Sequence, residues 1–416
     1  MNSERYFGDG TLDNRSAGQA RPAPGLAHPD VHGRTALKIA LVSPYDLSYP
    51  GGVQYHIAAL APALARLGHT VKILTPSSMP PGQMDGIEVL TFGRSIPVPT
   101  AGSIARISVS VWHEPRLKAT LEDEKFDVVH IHEPLVPLFP LMALYLSRSL
   151  TIGTFHAFSE SGGRGYTVWK RVLANAAERL HGRIAVSEAA RSYVSRYFPG
   201  EYTIIPNGID VTFFARPTPR PKVFSPAYIN LLFVGRVGEK RKGLRFLLAA
   251  YSTLKWEYPN LRLIVVGPGV PDADSWRIIG ERNIQDVVFT GQVPRADLPA
   301  YYQAADIFCS PATGKESFGM VLLEAMAASR PIVASAIPGY AGVVRHGEDG
   351  LLVEPRDEKA LAAALRLMIE DRRLCQRLST AGRLTVEQYD WSAVASKVVD
   401  YYAAVAGRRV AAPALA

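Results

Sequence analysis

From Lys38 onward the chain alternates short, almost wholly apolar runs with longer stretches whose apolar positions recur every three to four residues. "KIALVSP" is followed by "GGVQYHIAALAPALARLG" and then by "HTVKILTP". The short runs read as strands covered on both faces. The helical spacing from Val53 to a Gly68 stop reads as a helix. "FDVVHIHEP" (126–134) and "LTIGTFHAF" (150–158) predict two further strands, each ending in polar residues. "RIAVSEAARSYVSRYF" predicts a strand and then a helix with Ser187 as its N-cap. Strands alternating with helices in this way build a parallel sheet wrapped by helices.

The rhythm breaks at "IIPNGID" (204–210) and the Pro-rich "ARPTPRPKVFSPAYI" (215–229). It then restarts with "NLLFVGRV", "LRLIVVGPG", "VVFTGQV", "DIFCSPA" and "PIVASAIPG", each followed by a helix-like stretch or a turn. A domain boundary therefore falls near 205–229. The expected organisation is a disordered leader over 1–35, an α/β domain over 36–205, a second over 206–385, a helical segment over 386–406 returning to the first, and a flexible tail over 407–416. Doubly wound sheets bind ligands beyond the carboxyl ends of their strands, so two of them predict a cleft lined by those ends.

Composition narrows the partners. Of 416 residues, 47% are hydrophobic and 20% charged, the balance of a soluble globular protein. The leader lacks the apolar core of a signal peptide. The most apolar run, 135–146, contains Pro137 and Pro140 and is shorter than the roughly 20 residues that a span needs. Cys309 and Cys375 lie far apart, with neither disulfide nor ligand spacing, which fits a reduced cytoplasmic setting. The net charge of +8 favours anionic partners. No Lys/Arg block or aromatic-basic interleaving is present, which argues against nucleic acid and for a phosphate-bearing substrate or an anionic membrane surface.

Two stretches of the second half carry anion chemistry. In "FVGRVGEKRKGL" (233–244) a strand ends at Gly235, and Arg236, Lys240, Arg241 and Lys242 crowd the entry to the next helix. Cations beside helix-start amides make a diphosphate site, although a solvated basic loop would look the same in isolation. In "GKESFGMVLLEAMA" (314–327) the amides of Gly319, Met320 and Val321 fall at a helix start, with Glu316 before it and Glu324 inside it. Carboxylates flanking a phosphate site accept hydrogen bonds from paired hydroxyls, and a ligand with hydroxyls on both sides of a diphosphate is a nucleotide sugar. Surface or capping acids are the alternative for either glutamate alone.

The first half adds a Gly-Gly turn at the start of a helix in "SPYDLSYPGGVQ" (43–54) and His156 at the end of a strand in "GTFHAF". His130 and His132 alternate along their strand, so at most one of them faces a site. "DAD" at 272–274 reads as an N-cap or surface turn rather than a metal motif, and no HExxH, Cys-rich or Walker pattern occurs. No metal or cofactor is therefore expected. The stretch 102–121, with Ile104, Ile107, Val111 and Trp112 beside Arg106, Arg116 and Lys118, reads either as a segment lying on an anionic surface or as a partly buried helix, interrupted by Pro115.

Taken in order, "PYDLSYPGGVQYH", "FDVVHIHEP", "TFHAF", "RIAVSEAAR", "IPNGID", "GRVGEKRKG" and "KESFGMVLLEA" resemble the retaining GT-B glycosyltransferases of family four, over roughly residues 38–405. Within that family the resemblance is to bacterial phosphatidylinositol mannosyltransferases. It implies an α/β GT-B fold: two Rossmann-like, doubly wound domains facing across a cleft, with a C-terminal helix returning to the N-terminal domain. It implies transfer of a hexose, mannose from GDP-mannose, to a phosphoinositol lipid at the cytoplasmic membrane face. The mechanism implied is same-face and metal-independent.

By that resemblance Arg236 and Lys242 hold the leaving diphosphate, and Glu316 binds the transferred sugar. Glu324 binds the ribose, and the amides at Gly319, Met320 and Val321 take phosphate. Phe318 and Val293 belong to the same donor site. Gly52 lies against the diphosphate from the opposite domain. His156 bonds the donor sugar beside the reacting carbon, making it, with Arg236, Lys242 and Glu316, the catalytic set. Tyr45, Gln54, Arg106 and His156 address the acceptor. One departure stands out. Where the phosphatidylinositol enzymes carry a basic residue soon after the histidine, this chain has Ser159, Glu160 and Ser161, with Arg164 its first cation. A soluble sugar or polysaccharide precursor is accordingly the alternative acceptor. A non-catalytic nucleotide-binding protein is a third reading, disfavoured because "SPYDLSYPGGVQ" lacks dinucleotide-site glycine spacing.

Overall fold

The computed structural model describes residues 36–411, apart from 50, 78, 79, 81, 101, 102, 109 and 160–163. The leader expected over 1–35 and the last residues, 412–416, lie outside the described residues. In chain order the strands of the first half are β1 (Lys38–Val42), β2 (Thr70–Thr75), β3 (Gly82–Met84), β4 (Ile87–Thr91), β5 (Ile96–Thr100), β6 (Ser103–Ile107), β7 (Val128–His132), β8 (Leu150–Phe155), β9 (Gly182–Ala185) and β10 (Thr203–Ile204). Those of the second half are β11 (Ile229–Val234), β12 (Leu261–Val266), β13 (Val287–Gly291), β14 (Ile307–Ser310), β15 (Ile332–Ser335) and β16 (Leu351–Val353). Packing divides the chain into two compact units. One runs to Ile131 and includes Val136–Thr151; the other is His132–Leu135 with everything from Ile152.

In the first unit β1 pairs in parallel with both β2 and β7, β2 pairs in parallel with β4, and only the short β3 runs antiparallel, along β4. Every residue of β7 is buried. That follows from a parallel sheet whose crossover helices cover both faces, and it explains why its sequence runs apolar instead of alternating. The stretch around 102–121 departs from expectation. Ser103–Ile107 is a strand, paired antiparallel with β5 as a hairpin, and the helix begins only at Glu114. Pro115 falls in the first turn of that helix, where a missing N–H costs nothing, so it starts the helix instead of interrupting it.

In the second unit the end of β8, β9 and β10 run parallel. The six-stranded sheet is parallel throughout, in the order β13-β12-β11-β14-β15-β16. Counting from β11, this is the doubly wound order 3-2-1-4-5-6. Side chains alternate between two cores. Leu232, Ile264, Val266 and Phe308 face one side with Leu322, Leu323 and Met326 of the helix Met320–Ala327. Leu231, Phe233, Leu263, Val265 and Ile307 face the other with Leu244, Leu247 and Leu248 of the helix Leu244–Glu257. The helices that follow β11 and β14 thus lie on opposite faces, and the neighbouring exits of those two strands are the switch point.

The C-terminal helix spans Trp391–Ala411, so residues 407–411 continue a helix where a flexible tail was expected. Its Tyr401 hydroxyl accepts from the Arg183 N–H (2.8 Å) and donates to the Arg183 carbonyl (3.1 Å), fastening the helix to β9.

One glycine fixes the switch point. Gly243 has φ +76°, and a Cβ there would sit 1.9 Å from the Pro311 carbonyl oxygen. The loop after β11 can approach the loop after β14 only because no side chain intervenes. Gly243→Ala is therefore expected to cost about 2 kcal/mol or more from backbone conformation and contact together, read as a lowered thermal midpoint. An unchanged midpoint would mean that the two loops do not depend on this approach.

Candidate active site

The polypeptide leaves β11 at Val234 and is at once tied to the exit of β12. Gly235 N–H donates to Val266 O and Val237 N–H to Pro268 O. A 3-10 turn at Lys240–Lys242 then leads into the helix Leu244–Glu257. Thr313, just past β14, donates its N–H to Arg241 O at 2.8 Å. Two strand exits are thereby locked together by main-chain bonds, and their side chains share one small space.

Those side chains form an alternating chain of charge. Arg236 bonds Glu239 at 2.9 Å, and Arg241 reaches Glu239 at 2.6 Å and Glu316 at 2.5 Å. Lys242 donates to the same Glu316 oxygen at 2.6 Å. Lys240, one of the four cations in the loop, turns away to Asp274. Asp272 caps the helix Ala273–Glu281 by accepting from Ser275 N–H, so the "DAD" stretch is an N-cap with a surface ion pair, as expected. Three cations against two carboxylates leave the cluster net positive.

The two glutamates of the 314–327 stretch are shifted in opposite directions. Burial pushes the Glu316 carboxyl up, but Lys242 and Arg241 outweigh it and hold the group below its ordinary value. Glu324 is buried on the helix and accepts from Tyr302 Oη at 2.7 Å. Burial raises its pKa, opposed by Arg295, by the Tyr302 hydrogen bond and by Lys242. Opposed shifts of two acids within one helix approach single the pair out as candidates for function. Gly319 (φ +104°) precedes the helix Met320–Ala327, which has no side-chain cap and no acid in its first turn. Its leading amides and positive dipole end suit an anion.

The other expected residues divide by unit. Val293 is half-buried and packs against the core beside β13. Phe318 is 4% exposed and lies edge-on to Tyr389, so its side chain belongs to the core and only its backbone borders the site. His156 follows β8, and its Nε2 lies 3.0 Å from His132 Nδ1. Of the two alternating histidines, His132 is therefore the one that joins it. Burial, with a contribution from His56, depresses the His130 pKa to about 3, so that ring is neutral.

In the first unit, Gly52 opens the helix Gly52–Arg66, where a Cβ would meet nothing, so its small size serves no packing need. Gln54 folds back over Gly51. The Tyr45 carbonyl is held by Ser43 and Thr75 hydroxyls. The Arg106 carbonyl accepts from Asp46 N–H, and its guanidinium stacks 3.7 Å above the Tyr49 ring. The structure thus brings the loop after β1 and the strand β6 together. Residues 160–163 lie outside the described residues; Arg164 begins a helix to Val168.

Sequence reasoning gave no role to Glu239, Arg295, Tyr302 or Glu133. The first sits inside "GRVGEKRKG", where its charge among four cations was a usable signal. The other three act over long sequence distances with no local signature.

Two doubly wound parallel sheets, one with cations and an anion-receptive helix start at its switch point, define a GT-B glycosyltransferase. Residues 50–213 match the family described as glycosyltransferase family 4, and residues 218–385 match glycosyl transferases group 1. The chain is 37% identical over 375 residues to a phosphatidyl-myo-inositol mannosyltransferase of Mycobacterium tuberculosis, spanning 89% of this chain and 98% of that one. It is 31% identical over 414 residues to a glycogen synthase of the same organism, covering 91% and 98% of the two chains. The crystal structure of Anabaena HepE with UDP and glucose superposes with a TM-score of 0.70 at 20% identity, over 88% of this chain and all of that one, a likeness of fold. The chain belongs to glycosyltransferase family 4.

Removing the Tyr302 hydroxyl tests the electrostatics of Glu324. Tyr302→Phe takes a donor from a buried carboxylate, at a cost of roughly 1.5–3 kcal/mol while that group is ionised. The penalty belongs to the ionised form, so it is expected to be largest at high pH and, because the group's pKa is raised, to fade already above 4.5, the ordinary value, as pH falls. Thermal midpoints of both proteins across that range are the measurement. A penalty independent of pH would show that Glu324 is not the group responsible.

Proposed function

We propose that this chain is a retaining, metal-independent mannosyltransferase that uses GDP-mannose and a phosphoinositol lipid at the cytoplasmic face of the membrane. The observation that carries the reading is the Arg241–Glu316–Lys242 cluster beside the uncapped helix start at Gly319. Mannose and the inositol lipid are supported by the name of the 37% identical relative, which this chain matches along nearly its whole length.

In the proposed reaction the bond between the anomeric carbon and the diphosphate breaks while the acceptor oxygen attacks from the same face. The acceptor proton passes to the leaving phosphate oxygen. Cations on the leaving group are then the main demand, because negative charge develops there. Arg236, Arg241 and Lys242 supply it, with the amides of Gly319, Met320 and Val321. Glu316 accepts from sugar hydroxyls, Glu324 from ribose hydroxyls, and His156 bonds the sugar beside the reacting carbon. In this reading the incoming diphosphate competes with Glu316 for Lys242 and Arg241, both of which are already paired with that carboxylate.

The expected product with GDP-mannose and phosphatidylinositol vesicles is a mannosylated lipid, formed equally in excess chelator and identified by mass. Transfer to a soluble glycan but not to the lipid would establish the second reading, which Ser159–Ser161 and the glycogen synthase likeness favour. Glu316→Ala is expected to abolish transfer while GDP binds as tightly as to wild type, or more tightly, since a competitor for Lys242 is gone; a tenfold loss in calorimetry would refute that assignment. Lys242→Ala should lower turnover about 10²–10³-fold.

Among the described residues no helix is long and apolar enough to cross a membrane. Trp112 is 87% exposed ahead of the helix Glu114–Glu124, with Val111 also exposed, so a surface anchor is available. Binding to anionic vesicles is expected to fall with salt and with Trp112→Ser. Indifference to vesicle charge would remove the membrane from the proposal.

A further inference from the structure

Directly after β7 stands a carboxylate in an unusual position. Glu133 has φ +47°, a conformation costly for a residue with a long side chain, and it is 4% exposed. Its N–H donates to Thr154 O at 2.7 Å. Its Oε1 accepts from two consecutive main-chain N–H groups, those of His156 (2.6 Å) and Ala157 (2.7 Å). The Tyr166 hydroxyl is hydrogen-bonded to the same carboxyl group. Tyr166 in turn packs its ring against Tyr193, Tyr197 and Phe198, at centroid separations of 5.1–5.8 Å. The preceding residue, His132, is the one whose Nδ1 meets the His156 ring. Two adjacent residues, one through its ring and one through its carboxylate, thus hold His156 by side chain and by backbone.

A chain does not bury an acid in a left-handed turn for stability alone. An apolar residue in extended backbone would avoid both the desolvation and the strain. What the acid provides is a double acceptor at the point where the backbone leaves β8, just where no further strand bonds fix it. Two N–H groups aimed at one oxygen set both the direction of the backbone and, through it, the direction of the His156 ring.

We infer that Glu133 is a positioning residue for His156, clamping the end of β8 and tying it through Tyr166 to the helix Arg164–Val168. This rests on the reading above in which His156 touches the donor sugar. Glu133 itself touches no substrate.

The test compares E133A, E133Q, Y166F, H156A and the double variant E133A/H156A, using GDP-mannose with phosphatidylinositol vesicles. Thermal melts and the ring 15N signals of labelled histidine are recorded in parallel, the His156 signal being the one lost in H156A. E133A is expected to lower kcat about a hundredfold, the cost of an ångström-scale misplacement, while KM for GDP-mannose stays within a few-fold. E133Q keeps the acceptor oxygen and should recover most of that rate. The double variant should be no slower than H156A alone, because both changes remove the same function. The His156 ring signal should move in E133A and in Y166F.

A folded E133A with near-normal kcat, an E133A loss that multiplies in full with that of H156A, or an unmoved His156 signal would each overturn the inference. Should E133A not fold, Y166F decides: a moved signal with a several-fold lower kcat supports the clamp, and neither change overturns it. Full turnover in H156A would instead sink the assignment of His156 to the donor, and the ring signals would still decide whether Glu133 positions it.

Discussion

The second unit depends on how closely two strand exits can approach. β11 and β14 are neighbours in the sheet, and the helices that follow them pack on opposite faces. Neither helix can cover the gap between the exits, so loops must fill it. Gly243 lets the main chain after β11 pass against Pro311, and Thr313 then bonds the Arg241 carbonyl. Once that contact is made, Arg241 and Lys242 have little choice of direction and converge on Glu316. The charge cluster is a consequence of topology and one absent side chain more than of any local motif.

That arrangement resolves an apparent conflict between acids and an anion site. On the proposed reading Glu316 need not repel a phosphate as a lone carboxylate would, because two cations share it and the cluster keeps a net positive charge. Glu324 lies under different forces. Deep on the helix, it has its pKa raised by burial and accepts from the Tyr302 hydroxyl. Two glutamates of one short stretch are thus suited to different partners by their surroundings.

Much of this was legible in the sequence, for physical reasons. Fully apolar runs of five or six residues followed by helical spacing leave few alternatives to a parallel doubly wound sheet. Caps such as Ser187 and Asp272 are local, and both hold as read. Gly319 announces a helix start by the same kind of signal. The misreadings come where tertiary context decides. Residues 103–107 pair with β5, a partner that helical periodicity cannot reveal, and Pro115 opens a helix because of where that hairpin ends. Phe318 sits in a motif of site residues, yet its ring fills the core against Tyr389. Lys240 shares a tripeptide with Arg241 and Lys242 but leaves with Asp274, since a 3-10 turn fans its side chains about 120° apart. Nothing within a few residues of Arg295 or Tyr302 marks them as neighbours of Glu324.

Glu133 shows the same limit from the other side. In "HIHEP" the acid looks like an ordinary polar residue at a strand end, and the proline after it disfavours a helical conformation. Its left-handed backbone and its grip on His156 and Ala157 arise only when β8 is alongside. A buried carboxyl with two main-chain donors and a tyrosine is hydrogen-bonded, yet burial still outweighs those bonds and raises its pKa, so neither the desolvation nor the backbone strain is fully offset locally. Strain that persists at the root of a single histidine is best understood as the consequence of a direction that must be kept. The neighbouring His132 ring, bonded to the same histidine, closes the remaining rotation.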